Sequence, residues 1–392
     1  MAGRSLAVGA APAQAQAQEQ PARRPDEAQR IRELDGIRAI AITSVLVAHA
    51  AQDDMPALHA LQGWQANDWV LIGHLWLGVD LFFVLSGFLI TGILLESRED
   101  RRYYRNFYVR RALRILPVLF VFLGLIAAVY HGPLAYFALA LLFCANFATY
   151  LNVDAPPGAG PLWSLGVEEQ FYLLWPTVVR RFVPKVVLWF AVAICIAVPF
   201  FRALAPDPSR DLALTWMRCD GLALGALVAT WVYLERRRPA LLASAAATLR
   251  NRALTLIAGL VGLALVIWCV ETLLHVQHIS RALRPTEADL VFGAAILTAY
   301  AWQGAPAMAF LRSPLATFIA GTSYCAYIIH LSVYNAIDAW GWTASSVPIV
   351  SAGLRLLWGI PIIFALAALS KRFLEDPILR LKAKFAPRES AT

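Results

Sequence analysis

Arg38 and His49 lie eleven residues apart in the apolar run LDGIRAIAITSVLVAHA. At about 100° per residue, eleven steps end ~20° past three full turns, so on a helix both side chains share one face. Their axial separation is roughly 16 Å, about half of a hydrocarbon core roughly 30 Å thick. Arg38 then stands near one membrane surface and His49 deep within. Ionisable groups at depth are costly and imply a partner or an aqueous cavity. A guanidinium at the mouth suits an anionic ligand, and an imidazole at depth suits a general base or a nucleophile. Two structural roles compete: Arg38 snorkelling to headgroups, and His49 packing as a hydrogen-bonded residue near the far interface. Asp35, in the same run, is a third catalytic candidate.

Other runs also set polar groups where an apolar helix is expected. GVDLFFVLSGFLI places Asp80 and Ser86 among aromatic and aliphatic residues, Asp80 serving either as a strut to a neighbouring helix or as a substrate contact. In FYVRRALRILP, Arg111 and Arg114 are neighbours at i, i+3 and could grip a phosphorylated ligand bidentately; Arg110 fits ordinary anchoring at a membrane surface. PLWSLGVEEQFYLLWP puts Glu168 and Tyr172 on one helix face, with Glu169 about 100° away. That segment reads equally as a helix start, with Ser164 one residue off a capping box, and as a carboxylate beside aromatics for a hydroxylated substrate. RCDGLALGALVA carries Arg218 and Asp220, with Gly221 and Gly225 at a spacing that serves close helix packing. GTSYCAYIIHLSVY sets Tyr327, His330 and Tyr334 on one face as a polar lining, and FLEDPI ends the last apolar run with Glu375 and Asp376, placed either for chemistry or to hold nearby arginines.

These groups need a membrane bundle to position them. The chain is 59% hydrophobic and 15% charged, with a mean hydropathy of +0.59, which excludes an ordinary soluble globule of 392 residues. Apolar runs recur near 35–53, 69–95, 113–131, 134–150, 163–181, 186–203, 215–234, 253–274, 287–304, 311–338 and 348–370. If 134–150, flanked by Gly132-Pro133 and by APPGAGP, is re-entrant or interfacial, 26 of the 34 lysines and arginines fall on the cytoplasmic side. The expectation is an all-α bundle of about ten spans with both termini inside, leaving Arg202, Arg210, Arg281 and Arg284 in outer loops. The first outer loop, AQDDMPALHALQGWQANDW, carries three Asp and no Lys or Arg. Net charge +8 follows from this topology and implies the lipid bilayer as partner, with no nucleic acid. Residues 1–30, rich in Ala, Gln and Pro, read as a disordered tail without a signal peptide. Residues 31–380 read as the membrane domain and 381–392 as a basic tail. The five cysteines are scattered singly, without metal spacing, so no metal is expected.

The runs RELDGIRAIAITSVLVAH, GVDLFFVLSGFLI, RRALRILP, WSLGVEEQFYLLWP, RCDGLALGALVA and SYCAYIIH, in this order, resemble the membrane acyltransferase-3 family of bacterial integral-membrane O-acyltransferases. The resemblance covers about residues 32 to 380. It implies a multi-pass protein of the cytoplasmic (inner) membrane that moves an acyl group, usually acetyl from acetyl-CoA, to a hydroxyl of a saccharide, glycolipid or glycosylated natural product. The family's Arg-x10-His motif falls on Arg38 and His49, its paired arginines on Arg111 and Arg114, and its acid on Glu168. Gly166 departs from the pattern, since many members have Ser there. No SGNH-type hydrolase domain, which some relatives append, is seen in the sequence.

Together these features lead to an expected mechanism. Arg111 and Arg114, helped by Arg38, bind the phosphates of acyl-CoA; His49 deprotonates the acceptor hydroxyl or takes the acyl group itself. Glu168 and Asp35 complete the catalytic candidates, and Asp80, Tyr172, Asp220, Tyr327 and His330 are the candidates for the acceptor site. The rival function is a proton- or ion-coupled transporter with Arg38, His49, Asp80, Asp220 and His330 as its relay, which would call for internal repeats that are not evident in the chain.

Overall fold

The computed structural model describes residues 31–51, 75–130, 132–205, 212–237, 245–274 and 277–386. The N-terminal tail 1–30, most of the first outer loop, Arg210 and the last residues of the basic tail lie outside these. In lipid a chain must satisfy its own N–H and C=O groups, and the apolar runs do so as helices. They are α1 (Arg32–Ala51), α2 (Gly78–Glu96), α3 (Tyr103–Tyr130), α4 (Leu134–Leu141), α5 (Leu162–Arg181), α6 (Pro184–Leu204), α7 (Thr215–Arg236), α8 (Ala245–Leu274), α9 (Gln277–Ala301), α10 (Pro314–Ala339) and α11 (Pro348–Ser370). No strand occurs among the described residues.

Eight of these helices are long and apolar enough to cross a membrane. α5 and α9 are long enough but carry too many polar residues to meet the same standard. The 134–150 segment is different in kind. Its helix, α4, rises only about 12 Å, far short of a hydrocarbon core roughly 30 Å thick. A short 3₁₀ turn, Ala145–Phe147, follows it, and Phe143 between them has φ +55. This is the short, non-crossing element expected from its flanking Gly-Pro and Pro-rich sequences.

α1 sits at the centre, packed on α2, α10 and α11. Both of its ends are pinned. At the start, Glu33 Oε1 accepts from Arg312 Nη1 and from the Gly304 amide, both at 2.7 Å. At the finish, Arg355 Nη1 donates to the Ala50 carbonyl at 3.0 Å, and Tyr334 Oη donates to the Leu46 carbonyl at 3.1 Å. Asp338 grips Arg355 in turn, its two oxygens 3.1 and 2.9 Å from Nε.

The closest helix contact joins α2 and α7. A Cβ on Gly87 would lie 2.0 Å from the Leu222 carbonyl oxygen, and one on Gly225 would lie 2.0 Å from that of Val84. The two backbones therefore touch, as small residues allow in membrane helices. α8 lies at the periphery, with Leu263, Leu265, Val266, Trp268 and Leu273 exposed as lipid-facing residues would be.

One sequence expectation is corrected here. Arg202 is not in an outer loop but inside α6, 3% exposed, because Asp220 of α7 holds it in the bundle.

Gly225→Leu should separate α2 from α7 and destabilise the protein by about 1–3 kcal/mol or more, as overpacking does. Gly262→Ala on α8, whose Cβ would meet open space, should leave stability unchanged. Thermal unfolding in detergent compares the two.

Candidate active site

α1 brings His49 against α10. The His49 and His330 ring centroids are 4.8 Å apart with the planes at 70°. Each ring is anchored to its own helix: His49 Nδ1 lies 2.9 Å from the Val45 carbonyl and His330 Nδ1 lies 2.6 Å from the Tyr327 carbonyl. A carbonyl only accepts, so in both neutral rings Nδ1 carries the proton and Nε2 the lone pair. His49 is therefore in the tautomer a general base needs. From Arg32 to His49 the rise is about 26 Å, and from Pro314 to His330 about 24 Å, so the rings meet because two parallel helices place them at matching depth. Tyr327, one turn before His330, shares a 2.6 Å hydrogen bond with Ser164 of α5. Ser164 does not cap α5, as the near-capping box suggested; it lies inside the helix and serves this contact.

Nearer the arginine-rich end, α3 and α5 form a charged cluster. Arg111 Nε donates to Glu169 Oε1 at 2.6 Å, its Nη2 lies 2.6 Å from the same oxygen and 3.6 Å from Glu168 Oε2, and its guanidinium stacks 3.7 Å from the Tyr172 ring centroid. Glu169, which helical spacing sets apart from Glu168 and Tyr172, is thus the nearest acid to Arg111. Arg114 is exposed, yet it lies within electrostatic reach of Arg111, Glu168 and Glu375. Glu375 lies in a π-helical turn, Lys371–Glu375, and accepts from Ser370 Oγ at 3.1 Å. Such turns recur at functional sites. Arg110 points elsewhere and donates to the Ala386 carbonyl.

The two groups are linked. Glu168 lies within electrostatic reach of Arg38 and of Tyr327. Arg38, Phe82, Ser86, Arg111, Glu168, Tyr324, Tyr327 and His49 are all only partly buried. These partly buried residues on α1, α2, α3, α5 and α10 carry the polar groups between Arg114 and His49. Asp35 is buried in the first turns of the same helix. Among the described residues, no three or more His, Cys, Asp or Glu side chains converge as a metal site requires.

The sequence matches the acyltransferase domain model of acyltransferase-3 over residues 31–370. The chain belongs to the acyltransferase-3 family. Relatives include the peptidoglycan O-acetyltransferase OatA of Listeria monocytogenes, 29% identical over 51% of this chain and 34% of the relative. The putative peptidoglycan O-acetyltransferase YrhL of Bacillus subtilis is 32% identical over 50% and 33%, and a putative O-acetyltransferase of Staphylococcus aureus is 28% identical over 50% and 34%. Each match thus spans about a third of the relative's length. No solved structure matches the chain. Membership makes this a multi-pass membrane protein of an acyltransferase family, as its sequence motifs led one to expect.

Within this acyltransferase-3 chain, two other predicted site residues belong to a buried charged cluster that lies within electrostatic reach of Tyr327. Asp80 pairs with Arg218 at 2.7 Å, and Asp220 takes a two-pronged pair with Arg202 at 2.6 and 3.1 Å. Thr286 donates to Asp220 at 2.7 Å. All four charged side chains are 2–3% exposed, which makes them struts between α2, α6, α7 and α9. Asp289 of α9, 1% exposed beside Gly221, adds a third carboxylate that the sequence reading passed over. The departure at Gly166 also has a local cause. A Cβ there would lie 2.8 Å from Asn146 Oδ1 and 3.0 Å from the Phe143 carbonyl, and those same atoms take the hydrogen bonds of Gln170 Nε2 at 2.9 and 2.7 Å. Gly166 therefore seats the turn after α4.

Arg202→Met leaves Asp220 buried without its cation and should cost about 3–5 kcal/mol; the paired change Arg202→Met with Asp220→Leu should recover most of that loss. Thermal unfolding of the two variants in detergent measures the difference.

Proposed function

We propose that this chain transfers an acyl group, acetyl from acetyl-CoA, to a hydroxyl of a saccharide or glycosylated acceptor at the bacterial cytoplasmic membrane. The observation that carries the proposal is the series of interacting groups, Arg111 with Glu168, Glu168 with Arg38 and Tyr327, and His49 against His330. Basic side chains concentrate at the end where α1, α3 and α10 begin, which supports placing that end in the cytoplasm. Arg114, with Arg111 and Arg38 behind it, takes the donor phosphates; binding there shifts Arg111 away from Glu169 toward the anion. Glu168, with Asp35 on the same mouth, holds these cations in place and orients the line of groups toward His49.

At the far end, His49 Nε2 removes the acceptor hydroxyl proton as the oxygen attacks the thioester carbonyl. The C–O bond forms, the C–S bond breaks, and the proton passes from His49 to the thiolate, so the balance closes on an ester and a free thiol. In the covalent alternative, Nε2 attacks first, releasing the thiol, and the acceptor then takes the acyl group from the imidazole. Tyr172 and Tyr327 line the route. Asp80 and Asp220 act from a distance, by holding α2 and α7 beside it. The names of the peptidoglycan O-acetyltransferase relatives support a saccharide acceptor.

His49→Ala should lower acyl transfer by about 10²–10⁴-fold, the range of a general base. Near wild-type transfer in that variant would end the proposal. Single turnover with radiolabelled acetyl-CoA and no acceptor should leave label on histidine only if the covalent route operates.

Arg111→Lys and Arg114→Lys should each raise the donor KM about tenfold or more, since a lost charge-assisted contact costs about 1.5–3 kcal/mol, with kcat largely kept. Steady-state kinetics against a thiol-detecting reagent tests this; unchanged donor KM in both would place the phosphates elsewhere.

A further inference from the structure

The transfer steps above leave the acceptor without a seat, and a group of aromatic side chains lies close to them. Trp76, Phe83 and Trp163 gather around Arg218, whose guanidinium carbon is 5.5, 5.8 and 5.6 Å from their ring centroids. Arg218 is buried and held by Asp80 at 2.7 Å. Phe83 is buried as well, and its ring meets Trp163 edge-on with centroids 6.1 Å apart. The indoles differ from it, since Trp76 is 41% exposed and Trp163 is partly exposed. A buried cation and a buried ring thus hold two indoles that stay in part uncovered.

Both indoles stand close to the histidines. Trp76 lies in a short 3₁₀ turn, Leu75–Leu77, that packs on α1. A Cβ on Gly78, at the start of α2, would meet the Ala41 carbonyl oxygen at 2.7 Å and Ser44 Cβ at 3.1 Å, and Leu75 shares a groove with Thr43, Ser44 and Val47. The turn therefore packs against the second half of α1, the half that carries His49. Trp163 approaches from α5. Its neighbour Ser164 shares the 2.6 Å hydrogen bond with Tyr327, whose ring is 5.7 Å from that of His330, which is 4.8 Å from that of His49.

The chemistry of this wall narrows the ligand. The face of an aromatic ring is negative, and the C–H groups of a pyranose carry slight positive charge, so a sugar ring packs on an indole and keeps its hydroxyls at the rim. Aromatic walls with a few polar groups are the usual lining of a small-molecule site. Near Arg218 stand three carboxylates, Asp80, Asp220 and Asp289, and one further cation, Arg202. Two guanidiniums among three carboxylates have no positive charge to spare for an anion, so the sugar that suits this wall is neutral.

We infer that Trp76 and Trp163 form the acceptor subsite, where a neutral sugar ring packs against the indoles and presents a hydroxyl on the side of Tyr327 and His49. The inference rests on the proposed transferase function, in which His49 serves that hydroxyl. The tryptophans bind the ring and take no part in the bond changes.

Steady-state kinetics with acetyl-CoA as donor and chitotetraose or maltotetraose as acceptor tests the subsite. Trp76→Ala and Trp163→Ala should each raise the acceptor KM about tenfold or more, with kcat and the acetyl-CoA KM kept, because lost uniform binding appears in KM alone. Trp76→Tyr and Trp163→Phe, which keep an aromatic face, should recover most of that loss, whereas Trp76→Leu, apolar without such a face, should behave as Ala. An unchanged acceptor KM in both Ala variants, or equal behaviour of Trp76→Leu and Trp76→Tyr, overturns the inference. If the donor KM rises in step with the acceptor KM, the indoles only cover the Arg218–Asp80 pair and the inference fails. A second measurement needs no turnover by the variants. In full-length protein labelled with 5-fluorotryptophan in nanodiscs, chitotetraose should shift the ¹⁹F resonances that Trp76→Phe and Trp163→Phe remove. Shifts confined to other tryptophans, or none while the wild type acetylates chitotetraose, would overturn it. Failure of the wild type to acetylate either saccharide would instead refute the saccharide acceptor of the proposed function.

Discussion

The clamp on α1 is the constraint on which the rest of the site depends. A helix with Arg38 and His49 on one face has no natural reason to stay at a fixed depth, because an apolar helix can slide or tilt by several ångströms at small cost. Here Glu33 ties its first turn to Arg312 and Gly304, while Arg355 and Tyr334 take carbonyls from its last turns. The Arg355 contact also places a cation at the carbonyl end of the helix dipole. With both ends fixed, roughly 16 Å of helix separates the arginine from the imidazole, and α2, α10 and α11 pack against that rod.

The protein keeps two polar systems apart by their access to solvent. On α1, α3 and α5 the side chains of Arg38, His49, Arg111, Arg114, Glu168 and Glu169 keep partial exposure, so they can exchange partners; Arg111 and Arg114 stand there with more than one possible anion. Between α2, α6, α7 and α9 the pairs Asp80–Arg218 and Asp220–Arg202 are sealed. A sealed pair pays a large desolvation cost, which Arg202 and Asp220 offset through their two-pronged geometry, as suits a strut between α6 and α7.

What could be read from the sequence follows the range of each interaction. The shared face of Arg38 and His49, the paired arginines of α3 and the short α4 between Gly132-Pro133 and APPGAGP are local patterns, and a helical or turn geometry exposes them directly. The packing role of Gly225 was legible from its spacing, though its partner Gly87 was not. Glu169 was set aside by angle along α5, because Arg111 reaches it from α3, a helix whose rotation no local pattern gives. Arg202 looked like a loop cation for the same reason: its anion is on another helix. Asp289 gave no signal, since an isolated carboxylate in α9 has meaning only beside Asp80 and Asp220. Pairings across helices depend on rotation and depth together, and neither is encoded in spacing along one segment.

Depth is also what ties the histidine pair to the donor mouth. α1 and α10 begin at the same end, and the equal rise to His49 and His330 makes their meeting a consequence of helix length rather than of a special turn. A site built on helices can hold reacting groups more closely than one built on loops. The imidazoles cannot move toward the arginines without breaking the bonds that hold α1 and α10, so the spacing of roughly 16 Å from Arg38 to His49 is one that a single helix determines.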